Sequence, residues 1–347
     1  MAEDTQPPAG DPVLLGEGDA PALQELLDSA EDRLLGGSRD YTRLQIAERS
    51  GLPLDEVRRL WRALGFAVAA DDEQAFTDAD VEALRNVQAL QAVGDIDEDL
   101  MRAMTRIIGQ TFARLASWQG QLVLELVGRR PELIGDEGPE ALTELMGELT
   151  PIVEGLHGYV WRRQLAAFFS RAASNAGAST GSTTRRGVGF VDMAGFTAFT
   201  RESSEAQLRD VLTAFESLAS DVVSDHRGQI VKTIGDEILF VADTPADTAS
   251  IALDLVERAA DDDVLPSLRA GIAYGEVVSR LGDVFGQSVN IASRLTSVAR
   301  PDSVLVDEGL HDELADDDGF VLRPIRPVAV RGYRHLRPWR LRRAGTD

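Results

Sequence analysis

The sequence contains no cysteine. This absence excludes disulfide bonds, thiolate metal sites and a cysteine nucleophile, and it fits a reducing cytosol. Long apolar runs are missing too, since none approaches the roughly 18 residues that a helix needs to span a bilayer. Residues 1–12 are acidic and rich in proline and glycine, without the basic and apolar segments of a signal peptide. We therefore expect a cytoplasmic protein without membrane contact.

Basic residues are outnumbered by acidic ones, 35 against 58, which gives a formal net charge of −23. Because a polyphosphate needs a basic surface, this charge argues against nucleic acid as a general partner, and any phosphate site must be local. The length of 347 residues exceeds one typical domain, and 44% of the residues are hydrophobic. We therefore expect two domains, each with its own core.

The N-terminal half has a helical pattern, with apolar residues at three- and four-residue spacing from 20 to 170. Thr77 and Asp80 have the spacing of a capping box at a helix start. Long amphipathic helices are predicted at 100–127 and 152–169. We interpret their apolar stripes as core or helix–helix contacts rather than as a ligand pocket.

The composition changes at 172–187 to alanine, serine, threonine and glycine without a hydrophobic period. Beyond this stretch, short strands alternate with helices, which predicts an α+β domain with helices packed on a mostly antiparallel sheet. The predicted organisation is a disordered lead at 1–18, a helical domain at 19–171, a linker at 172–187 and an α+β domain at 188–343.

The first chemical motif runs from Phe190 to Thr197, where an apolar strand ends at Asp192 and turns through a glycine into a helix. The carboxylate can hold a hard cation, and the backbone N–H groups at the helix start, around Phe196 and Thr197, can hold phosphate oxygens. The alternative is that Asp192 is a plain helix cap.

The second motif is Lys232-Thr-Ile-Gly-Asp236, a lysine on a strand followed by a carboxylate on a tight turn. If adjacent strands bring Asp192 and Asp236 together, the two carboxylates repel unless metal ions lie between them. Two metals would neutralise the attacking and leaving oxygens in an attack on a triphosphate. The alternative is a type I′ hairpin that uses Gly235 and Asp236 only as turn residues.

The third motif runs from Asp283 to Arg294, on a predicted helix near 289–298. Asn290 and Arg294 lie four residues apart and so project from one helix face. An amide and a guanidinium placed in this way can hold a ribose and a charged phosphorane. The alternative is that both side chains are simply solvated.

Together, in this order and spacing, the three motifs resemble the catalytic domain of class III adenylyl and guanylyl cyclases. The resemblance covers a little under half of the chain, from Gly187 to Leu341, and implies a ferredoxin-like fold and a helical regulatory domain in front. It implies these roles: two divalent metal ions, Mg²⁺ or Mn²⁺, on Asp192 and Asp236; adenine recognition by Lys232 and Asp283; ribose positioning by Asn290; and transition-state stabilisation by Arg294.

The substrate follows from hydrogen-bond complementarity, because the Asp283 carboxylate accepts from the adenine amino group and repels the guanine carbonyl oxygen. The resemblance implies that ATP is converted into cyclic AMP and pyrophosphate, in a homodimer whose sites lie between the two chains. Arg331 is the nearest match to the family's pyrophosphate-contacting cation. The alternative is that the arginine-rich tail from Arg323 to Arg343 is a solvated edge-strand face. We assign no general base, and no role to Glu237.

The segment from Tyr41 to about residue 90 is similar to the winged helix-turn-helix of MerR-type regulators. This similarity leaves a DNA-binding regulator as one alternative function, although the acidic surroundings favour a structural or dimerisation role. A catalytically silent nucleotide sensor is the other alternative. For the helical domain we expect autoinhibition that responds to pH or to a bound fatty acid, and we single out His157 as a pH-switch candidate by its position.

Overall fold

The computed structural model describes residues 31, 33–67, 69–129, 138–175, 183–330 and 333–345. The chain divides into two compact units, at residues 1–171 and 172–347. Among the described residues, we find no helix with the length and apolar content needed to cross a membrane.

The N-terminal unit is helical. Its helices are α1 (Arg43–Ser50), α2 (Leu54–Leu64), α3 (Asp78–Gly94), α4 (Glu98–Gly128) and α5 (Gly138–Asn175). The predicted capping box at the start of α3 is present, since the Thr77 and Asp80 side chains satisfy each other's backbone N–H groups. Buried apolar side chains of the first three helices form a small core around Ile46, Val57 and Phe76.

Helix α5 begins earlier than predicted. The sequence pattern predicted its start at residue 152. In the structure Pro151 lies inside the helix. The preceding turns are fixed by packing, as Leu142 is buried against Val127 of α4. Tertiary contact therefore overrides the local helix-breaking preference of proline.

The C-terminal unit alternates strands and helices, as predicted. Its elements are β1 (Thr183–Met193), α6 (Phe196–Glu202), α7 (Glu205–Asp225), β2 (Gln229–Ile234), β3 (Glu237–Ala242), α8 (Pro245–Ala260), β4 (Leu268–Arg280), β5 (Asp283–Phe285), α9 (Gln287–Val298), β6 (Ser303–Val306), α10 (Glu308–Leu314), β7 (Phe320–Pro324), β8 (Val328–Val330), β9 (Tyr333–Leu336) and β10 (Trp339–Arg343).

Two boundaries differ from the prediction. Described elements overlap both ends of the range 172–187 that was predicted as a linker, because α5 continues to Asn175 and β1 already begins at Thr183. The threonines at 183 and 184 suit a strand and pair with the end of β4, which extends the sheet into this segment. The residues on both sides of Gly275 form the single long strand β4. Glycine at this position leaves room for α9, since a Cβ there would lie 2.5 Å from the Ser288 hydroxyl oxygen.

The sheet has the order β2-β3-β1-β4-β6-β10-β7, with β5 paired to β4, and a separate ribbon is formed by β8 and β9. All described pairings are antiparallel except β4 with β6, which confirms a mostly antiparallel sheet. Strand β10 pairs on both sides, so in the main sheet the arginine-rich tail lies at an edge only in β7, while both strands of the separate β8–β9 ribbon are edges.

Helices cover both faces of the sheet. On one face α7, α8 and α10 pack over a core that contains Phe215, Phe240 and Ile272. On the other face α9 packs over Phe190, Leu239 and their neighbours. Because side chains alternate across a strand, Asp192 shares the α9 face with Phe190.

Asp307 caps the start of α10. Its Oδ1 accepts from the amides of Leu310 and Tyr274, at 2.9 and 3.2 Å. Burial raises the pKa of this carboxyl to about 6, although the amide hydrogen bonds oppose the rise.

Candidate active site

Asp192 lies where the buried strand β1 reaches the end of its pairing with β3. The strand is apolar and buried from Val188 to Val191 and then presents this carboxylate. Three residues further, Gly195 takes a positive φ of 79° and starts the short helix α6. A residue with a Cβ is strained in that conformation, so glycine allows the sharp turn that ends the strand.

Asp236 lies beside Asp192. It occupies the turn between β2 and β3, and its backbone carbonyl accepts from the Met193 amide at 3.1 Å. Only Gly235 in this turn has a positive φ, of 65°. A type I′ turn requires positive φ at both central residues, so the turn is of another kind. The hairpin therefore carries Asp236 to the end of β1, as the sequence predicted.

Burial raises the pKa of Asp192, and the adjacent Asp236 carboxylate adds to the rise. A third carboxylate, Glu237, is paired directly opposite Asp192 across the strands. Burial, followed by repulsion from Asp192 and Asp236, raises the pKa of Glu237 to about 7. The three groups form a negatively charged cluster at one end of the sheet.

Arg269 opposes this charge. It lies on β4 directly across from Asp192, and its Nε donates to Asp192 Oδ2 at 2.8 Å. Its Nη2 donates to the same oxygen. The arginine lowers the pKa of Asp192 against the effect of burial. Sequence reasoning missed Arg269, because only the strand register shows that it faces Asp192.

Lys232 and Asp283 form the second group. Lys232 lies on β2 and Asp283 begins β5, 51 residues later, yet the lysine Nζ is 2.6 Å from Asp283 Oδ2. Burial alone would raise the pKa of Asp283, but hydrogen bonds from Lys232 and from the Val284 amide lower it. The pair is about one-third exposed, so a ligand can reach it.

Helix α9 presents Asn290 and Arg294. Asn290 is exposed and Arg294 is partly exposed. Within the described part of the chain, neither side chain makes a hydrogen bond or ion pair. The helix lies close to β4 at Gly271, where a Cβ would lie 2.2 Å from the Thr296 backbone nitrogen. Glycine at this position therefore sets the depth at which α9 packs.

Three further residues were predicted to contact the substrate: Phe196, Thr197 and Arg331. Phe196 is partly buried against the core and stacks on Phe199, with a ring-centroid distance of 6.1 Å. Thr197 is exposed at the start of α6. Arg331 lies outside the described residues.

The predicted residues that make contacts fall into two sets. Asp192 and Asp236 lie beside each other, with Glu237 and Arg269 next to Asp192, and Lys232 contacts Asp283. No described hydrogen bond or ion pair joins Asp192 or Asp236 to Lys232, Asp283 or Arg294.

Known families match both halves of the chain. Residues 180–342 match the adenylate and guanylate cyclase catalytic domain, and residues 17–165 match the adenylate cyclase regulatory domain. An adenylate cyclase of Glutamicibacter nicotianae is 36% identical, over 92% of this chain and 83% of the relative. An adenylate cyclase of Streptomyces griseus is 42% identical, over 82% of this chain and 71% of the relative. The chain belongs to the adenylate cyclases.

A further relative of this cyclase is a pH-sensitive adenylate cyclase of Mycobacterium tuberculosis, 32% identical over 91% of this chain and 82% of the relative. The matches confirm the class III resemblance that was drawn from the three motifs. They also show that the α+β half is catalytic and that the helical half is of the regulatory type. Catalytic domains of this class bind nucleotides and use divalent metal ions.

Proposed function

We propose that this cyclase converts ATP into 3′,5′-cyclic AMP and pyrophosphate at two equivalent sites, each built from both chains of a homodimer. In each site, one chain supplies Asp192 and Asp236 as ligands of two divalent metal ions, Mg²⁺ or Mn²⁺. The other chain supplies Lys232, Asp283, Asn290 and Arg294 as substrate-contacting residues.

The observation that carries this proposal is the 2.6 Å contact between Lys232 and Asp283. A donor and an acceptor lie side by side at a partly exposed position, which matches the ring nitrogen and exocyclic amine of adenine. Guanine presents a carbonyl oxygen where adenine has the amine, so the Asp283 carboxylate would repel it. The same pair therefore explains preference for ATP over GTP.

The carboxylate cluster supports divalent metal binding. Asp192 and Asp236 offer hard oxygen donors, and their mutual repulsion is only partly relieved by Arg269. The described residues include no cluster of three or more acidic, histidine or cysteine side chains arranged as a complete metal site. Mg²⁺ commonly takes one or two protein carboxylates and completes its shell with water and substrate phosphates, so the pair fits. When bound, such ions neutralise charge on the phosphates.

The reaction is an in-line attack of the ribose 3′ hydroxyl on the α-phosphorus. A new bond forms between the 3′ oxygen and the α-phosphorus, and the bond between the α-phosphorus and the α–β bridging oxygen breaks. Pyrophosphate leaves with that oxygen, and the proton of the 3′ hydroxyl passes to solvent. Asn290 orients the ribose and Arg294 stabilises the negative charge that develops on the phosphorane. Their lack of partners in the described chain leaves both side chains free for substrate. Backbone N–H groups near Phe196 and Thr197 face the phosphates, and Arg331 contacts the pyrophosphate.

The contacts of the described residues support the dimer, since no hydrogen bond or ion pair joins Asp192 or Asp236 to Lys232, Asp283 or Arg294, and we call these two sets the half-sites. A two-fold axis places each half-site of one chain against the other half-site of its partner. Mixing Asp192→Ala chains with Arg294→Ala chains tests this. Random pairing should restore about a quarter of the wild-type rate, because half of the dimers then hold one intact site. Absence of any rescue, with both variants folded and dimeric, would contradict the shared site.

We further propose that the helical half restrains catalysis at rest and responds to pH or to a fatty acid. The regulatory-domain match and the pH-sensitive relative support a pH response. His157 on α5 is the candidate switch, with its Nε2 3.0 Å from Gln119 Nε2 on α4. Exposed apolar side chains on both helices, such as Phe112 and Trp161, offer contacts for an acyl chain. His157→Gln should flatten the pH–activity profile of the full chain, and an unchanged profile would remove His157 as the switch.

Formation of cyclic AMP from ATP, with GTP in parallel, tests the central proposal. We expect turnover with Mn²⁺ or Mg²⁺, loss of turnover in Asp192→Ala, and retention in Asp210→Ala, which removes an exposed carboxylate on α7. A segment of residues 183–347 should be faster than the full chain if the front half is inhibitory. Turnover that survives in Asp192→Ala would refute the metal assignment, and no turnover under any condition would favour the silent nucleotide sensor.

A further inference from the structure

A cavity of about 490 Å³ lies in the N-terminal unit, away from the residues assigned to cyclisation. It is bounded by the first turn of α1, the outer face of α2 and the segment that follows α2. The lining residues are Arg43, Asp55, Arg58, Arg59, Arg62, Ala69, Ala70 and Asp71. Four of these eight residues are arginines, in a chain whose net charge is −23.

Asp71 is fully engaged by two of the arginines. Arg43 Nη1 donates to Asp71 Oδ1 at 2.6 Å, and Arg58 Nη2 donates to Asp71 Oδ2 at 2.6 Å. Arg43 is only 4% exposed and also donates to the Ala69 carbonyl. Hydrogen bonding by Arg58, with further attraction from Arg43, lowers the pKa of Asp71, so this carboxylate stays ionised. The cavity floor is therefore built from a buried arginine that is held in place.

The remaining charge in the cavity is positive. Asp55 is the only other acidic residue in the lining, and its Oδ1 accepts from Arg58 Nη1 at 3.3 Å. Arg59 and Arg62 form no ion pair with any described residue. Within the lining, four arginines against two aspartates leave an excess of two positive charges. Arg59 and Arg62 are exposed, so this excess faces solvent, where an anion can reach it.

We propose that this cavity binds a small phosphorylated metabolite through its phosphate dianion. Two charges on the ligand match the two uncompensated positive charges, and the guanidinium fork matches phosphate oxygens in bidentate geometry. The volume lies within the range of small-molecule sites. This site is independent of the cyclase reaction. An anionic effector bound there would contact the helical half of the chain.

A nucleic-acid backbone offers the same phosphate chemistry. The helix-turn-helix similarity of residues 41–90 would favour it, but the net charge of −23 repels a polyanion over any larger contact. A concave site that accepts one dianion avoids this cost. A small ligand is therefore favoured, and duplex DNA is the competitor in the test.

Trp61 provides a local reporter, because its indole N–H donates to the Ala67 carbonyl at 3.1 Å, at the start of the segment that borders the cavity. The full-length chain is titrated with inorganic phosphate, with acetate and with a short DNA duplex while tryptophan fluorescence is followed. A Trp61→Phe chain identifies the local signal. Arg62→Gln removes one uncompensated charge, and Arg114→Gln removes an exposed arginine on α4 as the matched control. Circular dichroism verifies that each variant is folded.

We expect a saturable response to phosphate that weakens at least tenfold in Arg62→Gln, is unchanged in Arg114→Gln and is lost in Trp61→Phe. Acetate, with one charge, should bind more weakly than phosphate. Equal titrations of the wild type and Arg62→Gln, meaning an adventitious ion only, would overturn the proposal. So would no response to phosphate at tens of millimolar, or a response to the duplex alone. Arg59→Gln is a second variant, although Arg59 also borders Glu56 and Glu98 in a neighbouring small cavity.

Discussion

Arg269 is the cation that partly offsets the repulsion among the clustered carboxylates, so its removal should destabilise the catalytic half in a pH-dependent way. Arg269→Gln keeps a polar side chain of similar reach but removes the charge. The variant then holds Asp192, Asp236 and Glu237 together without the arginine that contacts Asp192.

The expected loss of stability follows from the burial of the ion pair between Asp192 and Arg269. The Asp192 side chain is 15% exposed and that of Arg269 is 30% exposed. Breaking a buried ion pair by removing one partner costs about 3–5 kcal/mol, and the partial exposure of Arg269 puts the expected loss at about 3 kcal/mol. For a unit of this size, that loss lowers the melting temperature by about 6–12 °C.

The pH dependence has a definite sign. Burial and mutual repulsion raise the folded-state pKa of Asp192 and Glu237, the latter to about 7. Ionisation of these groups therefore costs stability as pH rises, and removal of Arg269 increases that cost. We expect the loss in Arg269→Gln to be full at pH 8 and to shrink as pH falls through about 7, where Glu237 binds a proton and the negative charge of the cluster decreases.

Scanning calorimetry of the full chain measures this loss, since it follows the transition of the catalytic half directly. Arg209→Gln is the matched control, because Arg209 forms an exposed pair with Glu205 on α7, which is worth about 0–1 kcal/mol. If Arg269→Gln shifts the melting temperature no more than Arg209→Gln does, or by the same amount at pH 5 and pH 8, the electrostatic account of the cluster is wrong.

Three further predictions test other parts of the structure. Lys232→Glu combined with Asp283→Ser should raise the ratio of GTP to ATP turnover at least roughly tenfold. The first change replaces a hydrogen-bond donor by an acceptor, and the second replaces a carboxylate that repels the guanine carbonyl oxygen by a hydroxyl that can donate to it. Gly271→Val should destabilise the catalytic half by more than about 2 kcal/mol and reduce turnover, since its side chain displaces α9. Asp307→Asn keeps the Oδ1 acceptor but not the charge. The folded pKa of about 6 exceeds the ordinary 3.8, so wild-type stability falls as pH rises between these values and the variant should gain relative stability from pH 4 to pH 7.

Initial rates with both nucleotides measure the first of these predictions, and an unchanged ratio would show that Lys232 and Asp283 do not read the base. Thermal unfolding measures the other two. Gly155→Ala is the control for Gly271→Val, because a Cβ at Gly155 meets nothing within 4 Å. A parallel pH dependence for wild type and Asp307→Asn would show that the buried carboxyl is not ionising in this range.

Much of the fold could be predicted from local sequence patterns. The capping box at Thr77 was predicted from spacing alone, because both partners lie within one helical turn. The alternation of strands and helices after β1 was also predicted, since each element has its own hydrophobic period. Element ends were less accurate. The start of α5 and the extension of β1 into 183–187 depend on packing and pairing partners that are distant in the sequence.

The candidate site likewise contains residues that the sequence predicted and features that only the structure shows. Asp192, Asp236, Lys232, Asp283, Asn290 and Arg294 were found because each stands in a short motif. Arg269 has no such motif, and its role depends on the register between β1 and β4. Glu237 was visible beside Asp236, but its raised pKa results from burial against neighbours brought together by the sheet.

By itself, the sequence determined the α+β catalytic half, the helical front half, the chemical types at the site and the expected preference for ATP. These follow from residue identity and from short-range spacing, which the chain carries before it folds. Only the tertiary structure decided which charges face one another. It placed Arg269 on Asp192, joined Lys232 to Asp283 and brought Arg43 and Arg58 onto Asp71, because strand register and helix packing bring together residues that the sequence keeps apart.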